Sequence, residues 1–369
     1  MEKVRLGIIG CGPIGTQVMY APILKYLTNG EVYAVMDPNP NTVKYMQDNY
    51  GVPNGCDNVE DILGMKEIDA VIIVSPVQLH MEHTIKAAEA GKHVLCEKPM
   101  ARTIDECDAM IDACNNHNVK LMVAFMKRFD KSFLHATKLI KEGELGEIIQ
   151  VTCNWAWYLE RVGMWRDKIN TCGGVFQDHG SHTTNLCRWW LGEVVSVSGE
   201  VSIITEGREV EDQSVALLRH ENGGISYHNM FRRSHKPLNE YYLIEGTKAS
   251  LEIEHGPLWC YISTHPFTMK RYIKGKMVID ETLHNIRNID EEIRTHGKYL
   301  RELEHFCDCI INDTTPKVTG KDGRIATEII NAVYLSSWKK EKINLPLEHS
   351  PDLERFFTEI RNQGIKSPV

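Results

Sequence analysis

The stretch "VRLGIIGCGPIG", Val4 to Gly15, decides the fold of this chain. It places a short apolar run, typical of a buried strand, directly before a G-x-G-x-x-G pattern formed by Gly10, Gly12 and Gly15. A segment with helical periodicity follows, and Asp37 ends the next apolar run, 22 residues after Gly15. Glycine triplets arise by chance in loops, so the strand, the helix and the spaced acid make the pattern specific. Together they predict a dinucleotide-binding βαβ unit.

The residues of this pattern have defined physical tasks in dinucleotide binding. Gly10 permits a tight turn, Gly12 lets the backbone approach the pyrophosphate, and Gly15 allows close packing of the helix. The phosphates are expected at the helix N-terminus, where backbone N–H groups are unsatisfied. Asp37 is expected to accept the adenosine ribose hydroxyls and to repel a 2′-phosphate. Because the residues after it, "PNP", include no arginine, the sequence predicts NAD rather than NADP.

The first third of the chain alternates short apolar runs with helical segments. Runs such as "DAVIIVSP" and "KLMVAF" are apolar throughout, as strands are when both faces of a sheet are covered. Segments between them, such as "MEHTIKAAEAGK", have a helical period. The pattern predicts an α/β protein whose N-terminal Rossmann domain, residues 1–126, has a parallel sheet wrapped by helices.

The pattern changes after about Lys127. One helical segment, "KSFLHATKLIKEGELG", leads into "EIIQVTCNWAWYL", and from Val194 onward strands follow one another with short turns and almost no helix. This predicts a C-terminal α+β domain, residues 127–369, with a large, mostly antiparallel open sheet for substrate binding and oligomerisation. An amphipathic helix from about Lys321 to Lys340 precedes "INLPLE". The final segment is expected either to stay with this sheet or to pack back on the Rossmann domain.

Composition excludes several classes of protein. The 369 residues exceed what one core usually organises, and the net charge of −8 gives no electrostatic footprint for nucleic acid. The sequence shows no apolar run of about 18 residues and no signal-peptide pattern, so we expect no membrane partner. The 11 cysteines are scattered without a disulfide framework, which favours a reducing cytoplasm. Cys307 and Cys309 are expected to lie on different faces of one helix.

A second motif, "GGVFQDHGSH", runs from Gly173 to His182. Asp178 and His182 are four residues apart, which puts both on one helix face, whereas His179 is expected to point elsewhere. Such a cluster can be a metal site, an acid/base site, or a chance grouping on a helix surface that has no function. A metal needs at least three converging ligands and the segment offers two, so the spacing favours acid/base chemistry without a metal.

The order of these motifs along the chain resembles the Gfo/Idh/MocA family of glucose-fructose oxidoreductases and inositol dehydrogenases. "GIIGCGPIG", "DAVIIVSPVQLH", "AGKHVLCEKPMARTIDE", "GGVFQDHGSH" and "TGKDGRIATEIINAVYLSS" follow one another over nearly the whole chain. The E-K-P motif of the family falls on Glu97, Lys98 and Pro99. Many members have a third glycine before the glycine pair, where this chain has Cys172.

The resemblance implies an NAD-dependent oxidoreductase that transfers a hydride between nicotinamide and a secondary hydroxyl or ketone of a sugar, cyclitol or glycoside. It implies His182 as the base, Lys98 as a donor to the same oxygen, and Asp178 as the group that orients the substrate or the imidazole. How Lys98 and His182 divide the proton transfer stays open. The implied cofactor contacts are Gly10, Gly12, Pro13, Ile14, Gly15, Asp37, Ser75, Pro76, His80, Glu97 and Lys98. The implied substrate contacts are Lys98, Tyr158, Trp165, Arg166, Asp178 and His182.

The same motifs also fit other interpretations of the site and of the function. The aromatic residues of "NWAWYLERVGMWRD" either stack on sugar rings or, like Trp155 and Trp157 on one strand face, fill the core of the sheet. A redox-neutral glycosidase with tightly held, recycled NAD fits the same motifs. A non-catalytic dinucleotide sensor is a second alternative. The open face of the antiparallel sheet is the expected surface of a homodimer or homotetramer.

Overall fold

A computed structural model describes residues 3–158, 162–235, 239–255, 267–280 and 297–363 of the chain. The chain splits into two compact units, Met1–Asp130 with Asp290–Arg324, and Lys131–Ile289 with Ile325–Val369. The predicted fold class is confirmed, because the first unit has a parallel sheet and the second a mostly antiparallel one. The assignment of residues 1–126 and 127–369 to cofactor and substrate stays a prediction.

The strands of the first unit are β1 (Val4–Ile9), β2 (Gly30–Met36), β3 (Asn54–Cys56), β4 (Ala70–Ile73), β5 (His93–Glu97) and β6 (Leu121–Ala124). They form a six-stranded parallel sheet in the order β3-β2-β1-β4-β5-β6. This is the strand order of a dinucleotide-binding sheet, in which ligands bind beyond the carboxyl ends of the strands where the order reverses. That point lies between β1 and β4, next to the glycine loop.

The strands of the second unit are β7 (Ile148–Ala156), β8 (Val194–Ser202), β9 (Gln213–His220), β10 (Ile225–Phe231), β11 (Asn239–Gly246), β12 (Ser250–His255), β13 (Phe267–Ile273), β14 (Lys276–Asp280) and β15 (Ile343–Asn344). Their order is β14-β13-β12-β11-β7-β10-β9-β8-β15, and β7 and β10 pair in parallel. Side chains alternate between the two faces, so that Ala216 and Leu218 are buried while Leu217 is 49% exposed. The sequence "LWCYIS", which is also predicted to form one of the strands after Val194, lies outside the described residues.

The α-helices are α1 (Pro40–Tyr50), α2 (Val59–Gly64), α3 (His80–Glu89), α4 (Ile104–Asn116), α5 (Lys131–Lys141), α6 (Ser181–Leu191), α7 (Gly297–Ile311), α8 (Gly320–Lys339) and α9 (Leu353–Gln363). Side-chain caps start several of them; the Asn39 side chain accepts from Asn41 N at α1, and the Thr103 side chain accepts from Glu106 N at α4. The boundary between the two units falls inside α8.

The helical segment that follows the glycine loop differs from a regular α-helix. The segment after the glycine loop, Pro13–Tyr20, is π-helical and continues into a 3₁₀ segment, Ala21–Tyr26. Gly12 O accepts from both Thr16 N (3.2 Å) and Gln17 N (3.3 Å), the second of which is an i to i+5 bond. A helix was predicted here, and its π geometry is a finding of the structure.

The core of the second unit lies between one face of the sheet and helices α8 and α9. Strand residues such as Val197 and Leu218 pack there with Val333 of α8 and Phe356 of α9. In the first unit, Cys307 and Cys309 are both buried on α7, as expected for helix cysteines. Within the described ranges, the helices are too short or too polar to cross a membrane.

Candidate active site

The glycine loop after β1 has the steric properties that a dinucleotide requires. Gly10 has φ +101°, and a Cβ there would lie 2.8 Å from Ser75 N. At Gly15 a Cβ would collide with the Val74 side chain. A Cβ on Gly12, in contrast, would meet nothing within 4 Å. Gly10 and Gly15 are therefore required by the packing of the protein itself. The open space beside Gly12 fits a pyrophosphate that approaches the backbone closely.

The Asp37 carboxylate sits at the carboxyl end of β2 and ties the glycine loop to this strand. Its Oδ2 accepts from Cys11 N at 2.7 Å and its Oδ1 accepts from Asn39 N at 2.9 Å. A carboxylate offers about four acceptor positions, so two backbone bonds leave capacity for ribose hydroxyls. The remaining acceptor positions of Asp37 fit the ribose hydroxyls in the adenosine half of NAD.

Ser75 and His80 build the loop after β4. The ring of His80, 1% exposed, has Nε2 2.8 Å from Ser75 O and Nδ1 3.1 Å from Pro99 O. Ser75 Oγ lies 2.9 Å from His83 Nδ1, and Pro76 is exposed. Burial lowers the pKa of His80. The structure thus gives His80, predicted as a cofactor contact, a supporting position between the Ser75 loop and Pro99.

Glu97 ends β5 and is held by two hydrogen bonds. Its carboxylate accepts from Tyr20 OH at 2.8 Å and from Lys98 N at 3.0 Å. Burial raises the pKa of Glu97, opposed by the nearby charge of Lys98 and the bond from Tyr20. The Lys98–Pro99 peptide bond is cis. Glu302 of α7 is fully buried, and burial together with the charge of Glu97 raises its pKa well above the usual value.

The glycine pair of the second motif is explained by what lies against it. A Cβ on Gly173 would lie 2.5 Å from Arg166 O. Gly174 has φ +116°, and a Cβ there would collide with the carboxylate of Glu211. Cys172, which replaces the third glycine of many relatives, has φ +60°, a left-handed conformation that glycine adopts more easily.

Asp178 and His182 lie on one continuous helical run, but the run is not uniform. Phe176–Gly180 is π-helical and α6 starts at Ser181. The rule that residues four apart share one face of an α-helix therefore does not apply strictly to this pair. The expectation that His179 points away is wrong. Its Nε2 lies 3.3 Å from Asp178 Oδ2, and its ring stacks on Trp155 with centroids 3.6 Å apart.

Two buried arginines hold the Asp178 carboxylate. Arg166 Nε donates to Asp178 Oδ2 at 2.7 Å, and Arg232 Nη2 lies 3.3 Å from the same oxygen. Asp178 and Arg232 are each 1% exposed. Arg166 was predicted to contact substrate; its Nε donates to Asp178, and the substrate contact stays a prediction. Arg232 was not predicted, although a charged residue directly after the strand "ISYHNMF" is a signal in the sequence.

Glu211 lies beneath the glycine pair. Its Oε1 accepts from Phe176 N at 2.8 Å and from Tyr334 OH at 3.0 Å, so it fixes the start of the π-helical turn. Burial raises the pKa of Glu211 to about 7, against the opposing effects of these two bonds and of the Arg232 charge. Sequence reasoning did not single out this residue.

The aromatic residues before the motif separate into core and surface. Trp155 is 3% exposed, belongs to the core and meets Trp157 edge-on at 6.2 Å, which supports the core reading for this pair. Trp165 is 38% exposed, and the Arg166 guanidinium lies 4.4 Å from the centre of its ring. The Tyr158 ring stacks on His235 at 5.4 Å.

Among the described side chains, Cys153, Cys187 and His228 come close enough together to suit a metal ion. The two sulfur atoms are 3.5 Å apart. Both ring nitrogens of His228 already have hydroxyl partners, Thr183 Oγ1 at 2.8 Å and Ser226 Oγ at 2.9 Å. These contacts describe a buried hydrogen-bonded cluster rather than a prepared set of metal ligands.

Comparisons with known proteins agree with this architecture. A model described as the oxidoreductase family with an NAD-binding Rossmann fold matches residues 4–125, and one for its C-terminal alpha/beta domain matches residues 137–345. A myo-inositol 2-dehydrogenase of Thermotoga maritima is 26% identical over 93% of this chain and 98% of its own length.

Solved structures show the same likeness. An aldose-aldose oxidoreductase of Caulobacter crescentus, complexed with glycerol, superposes with a TM-score of 0.81 at 27% identity, over 93% of this chain and all of the other. The WlbA dehydrogenase of Bordetella pertussis, in complex with NADH and UDP-GlcNAcA, has a TM-score of 0.78 at 25% identity, over 94% and 99% of the two chains.

Proposed function

This chain belongs to the Gfo/Idh/MocA oxidoreductase family, and we propose that it transfers a hydride between NAD and a secondary hydroxyl or ketone of a sugar, cyclitol or glycoside. The observation that carries this proposal is that both family motifs are intact in the folded chain. Lys98 follows Glu97 at the carboxyl end of β5, and Asp178 and His182 lie buried on one helical run. The names of the relatives, which include an inositol dehydrogenase and an aldose-aldose oxidoreductase, support the substrate class.

NAD, when bound, supplies the hydride acceptor at its nicotinamide ring. The chain's own residues then have to bind the alcohol and manage its proton. His182 is the proposed base for the hydroxyl proton, because an imidazole can hold a proton near neutrality. Lys98 donates a hydrogen bond to the same oxygen and stabilises negative charge that develops there. Asp178, held by Arg166 and Arg232, orients the substrate or the imidazole as a fixed acceptor.

The same proposal assigns the cofactor preference to Asp37. Its anionic carboxylate accepts the 2′- and 3′-hydroxyls of the adenosine ribose and repels the phosphate that NADP carries at this position. The neighbouring residues, Pro38 to Pro40, supply no cation to offset that repulsion. Gly10 to Gly15 provide the backbone against which the pyrophosphate rests, with Ser75 and Pro76 across the loop.

Trp165 is the proposed platform for the sugar ring. It is one of the exposed large hydrophobic side chains, and aromatic faces stack on the apolar faces of sugars. Tyr158 adds a phenolic hydroxyl for hydrogen bonding. Arg166 acts indirectly in this proposal, since its guanidinium connects the Trp165 ring with Asp178.

One panel of substrates tests the function. Inositols, aldoses and aryl or alkyl glycosides are assayed for NAD reduction at 340 nm and, separately, for release of the aglycone. Reduction without release is the expected result for a dehydrogenase. Release without net reduction would identify the redox-neutral glycosidase, and binding of NADH without either reaction would identify a sensor.

A homodimer or homotetramer built on the open face of the second sheet is part of the proposal. Leu217 (49% exposed) lies on this face, and its exposure leaves apolar surface for a second copy to cover. A reducing, cytoplasmic location is proposed as well. It is supported by buried thiols such as Cys11, whose pKa burial raises to about 12.

A further inference from the structure

Arg232 follows strand β10 and is among the largest fully buried side chains of the chain. Its Nη1 donates to Arg166 O at 3.1 Å, and its Nη2 donates to Gly174 O and to Asp178 Oδ2, both at 3.3 Å. Its backbone is fixed as well, because Arg232 N donates to Asp212 O at 2.9 Å. A single planar guanidinium therefore bonds three acceptors from three different segments.

These three acceptors define the geometry of the second motif. Gly174 N donates to Arg166 O at 3.0 Å, which closes the turn before the helix. Asp178 N donates to Gly174 O at 3.1 Å, which starts the helical run. Arg232 adds a second donor to each of these two carbonyls and a charged partner to the Asp178 side chain. It thus joins the turn, the helix and the carboxylate in one rigid unit.

We propose that Arg232 is a positioning residue for the oxidoreduction, which sets the orientation of the Asp178 carboxylate relative to the glycine turn. The inference rests on the proposed function. Lysine cannot take this role, because its ammonium is a compact charge on a flexible stem, whereas the fixed fork of arginine bonds several acceptors in one plane. Arg232 itself does not touch the reacting atoms in this proposal.

The charges around Arg232 agree with a permanently ionised guanidinium. Burial lowers the pKa of Arg232 and the nearby charge of Arg166 lowers it further, while the charges of Asp178 and Glu211 raise it. Arginine remains protonated in proteins under such conditions. Two cations therefore contact Oδ2 of the Asp178 carboxylate, which suits a fixed anionic acceptor better than a mobile proton carrier.

Arg208 provides a matched control in the same unit. Its side chain is fully buried, and it pairs with Asp167 at 2.9 Å and with Asp212 at 3.8 Å. Replacement of either arginine by lysine weakens a buried ion pair and is expected to lower the free energy of unfolding. Only the change at position 232 alters the direct bond to Asp178.

The experiment compares Arg232→Lys with Arg208→Lys in the full chain, using the best alcohol substrate from the panel. Arg232→Lys is expected to lower kcat by roughly 10- to 100-fold, the effect of a displaced catalytic geometry, with NADH affinity changed less than about twofold. Arg208→Lys is expected to keep kcat within about threefold at a similar loss of unfolding free energy. Equal kcat values for the two variants at equal stability would overturn the inference.

A double-mutant cycle covers the case in which Arg232→Lys does not fold. Arg232→Gln removes one of the two cations and leaves Asp178 paired with Arg166, which keeps a buried ion pair and favours folding; its combination with Asp178→Asn completes the cycle. Because Arg232 acts through Asp178, the double variant is expected to have a kcat close to that of Asp178→Asn alone. If the kcat of the double variant is lower than that of Asp178→Asn by the whole factor that Arg232→Gln alone causes, the positioning role of Arg232 is contradicted. A wild-type chain without turnover on any substrate would instead refute the proposed function.

Discussion

Arg166 Nε lies 2.7 Å from Asp178 Oδ2, and both side chains are buried. The same guanidinium lies over the exposed ring of Trp165, 4.4 Å from the ring centre. Arg166 therefore connects a surface aromatic residue with a buried carboxylate of the motif. The contact also explains why Asp178 tolerates burial, since an ionised carboxylate in the interior requires paired cations and hydrogen bonds.

Asp178→Asn is expected to destabilise the chain strongly, independently of its effect on turnover. The change leaves Arg166 and Arg232 buried around a neutral amide, and breaking a buried pair costs about 3–5 kcal/mol. Urea unfolding followed by tryptophan fluorescence measures this loss. Asp48→Asn is the control, because Asp48 pairs with Lys44 at the surface and such pairs contribute at most about 1 kcal/mol. Equal losses in the two variants would show that the Asp178 cluster does not stabilise the fold.

Glu211 is expected to make the stability of the chain fall as the pH rises from about 4.5 to about 7. Its pKa is raised from 4.5 to about 7 in the folded state, so the folded chain binds its proton more tightly than the unfolded chain. Stability from this group is complete below the unfolded pKa of 4.5 and is lost up to about pH 7, a change of about 3 kcal/mol. Glu211→Gln stays neutral and is expected to lack this loss.

Urea unfolding of the wild type and of Glu211→Gln at about pH 5 and about pH 8 measures the effect. The wild type should lose stability relative to the variant between the two pH values. Glu354→Gln, at an exposed position of α9, is expected to show a difference from the wild type that does not change with pH. A pH-independent difference for Glu211→Gln would mean that Glu211 is ionised throughout.

The strands that could be predicted from the sequence are those whose own residues form a recognisable apolar pattern. β1, β2, β4, β5 and β6 were expected because strands buried on both faces are apolar throughout. β3, which spans only Asn54–Cys56, is too short for any periodicity to reveal. β13 and β14 include two lysines and an arginine, so they lack a clear apolar run.

The sequence predicted the motif residues of the candidate site, but it did not predict the residues that contact them. Gly173, Gly174, Asp178 and His182 could be named from a short stretch of sequence. Arg232 is 54 residues from Asp178, and no local pattern links such distant positions. His179 contacts the Asp178 carboxylate within a π-helical turn, and a spacing rule for regular α-helices does not foresee this contact.

Asp37→Asn is expected to weaken discrimination between the two cofactors. The amide retains an oxygen that can accept from Cys11 N, so the loop keeps its tie to β2 while the negative charge is removed. Titration with NADH and NADPH, followed by nicotinamide fluorescence, should show tighter NADH binding in the wild type and a smaller difference in the variant. Equal or tighter NADPH binding by the wild type would refute the role assigned to Asp37.

Leu217→Glu is expected to dissociate the proposed oligomer. Leu217 lies on the open face of β9, opposite Tyr227 of β10, and a carboxylate there would be buried unpaired in an interface. Light scattering after gel filtration should show a dimer or tetramer for the wild type and a smaller species for the variant. Ile273→Glu, at an exposed position of β13, is the control that should keep the wild-type mass. A monomeric wild type would remove the proposal.

Lys98→Ala and His182→Ala are expected to lower turnover while NAD affinity stays nearly unchanged. If the two groups act on one substrate oxygen, each loss should reduce kcat by roughly 10²–10⁴, the usual range for acid/base assistance. Residues that act as a unit are not additive, so the double variant should be scarcely slower than the slower single variant. His179→Ala is the neighbouring comparison: His179 contacts Asp178 and stacks on Trp155, so in this proposal it supports the carboxylate and does not exchange the substrate proton, and its loss should reduce kcat to a smaller extent than His182→Ala. An effect of His179→Ala as large as that of His182→Ala, or loss of activity after chelation of metal ions, would contradict the assignment of His182 as the base.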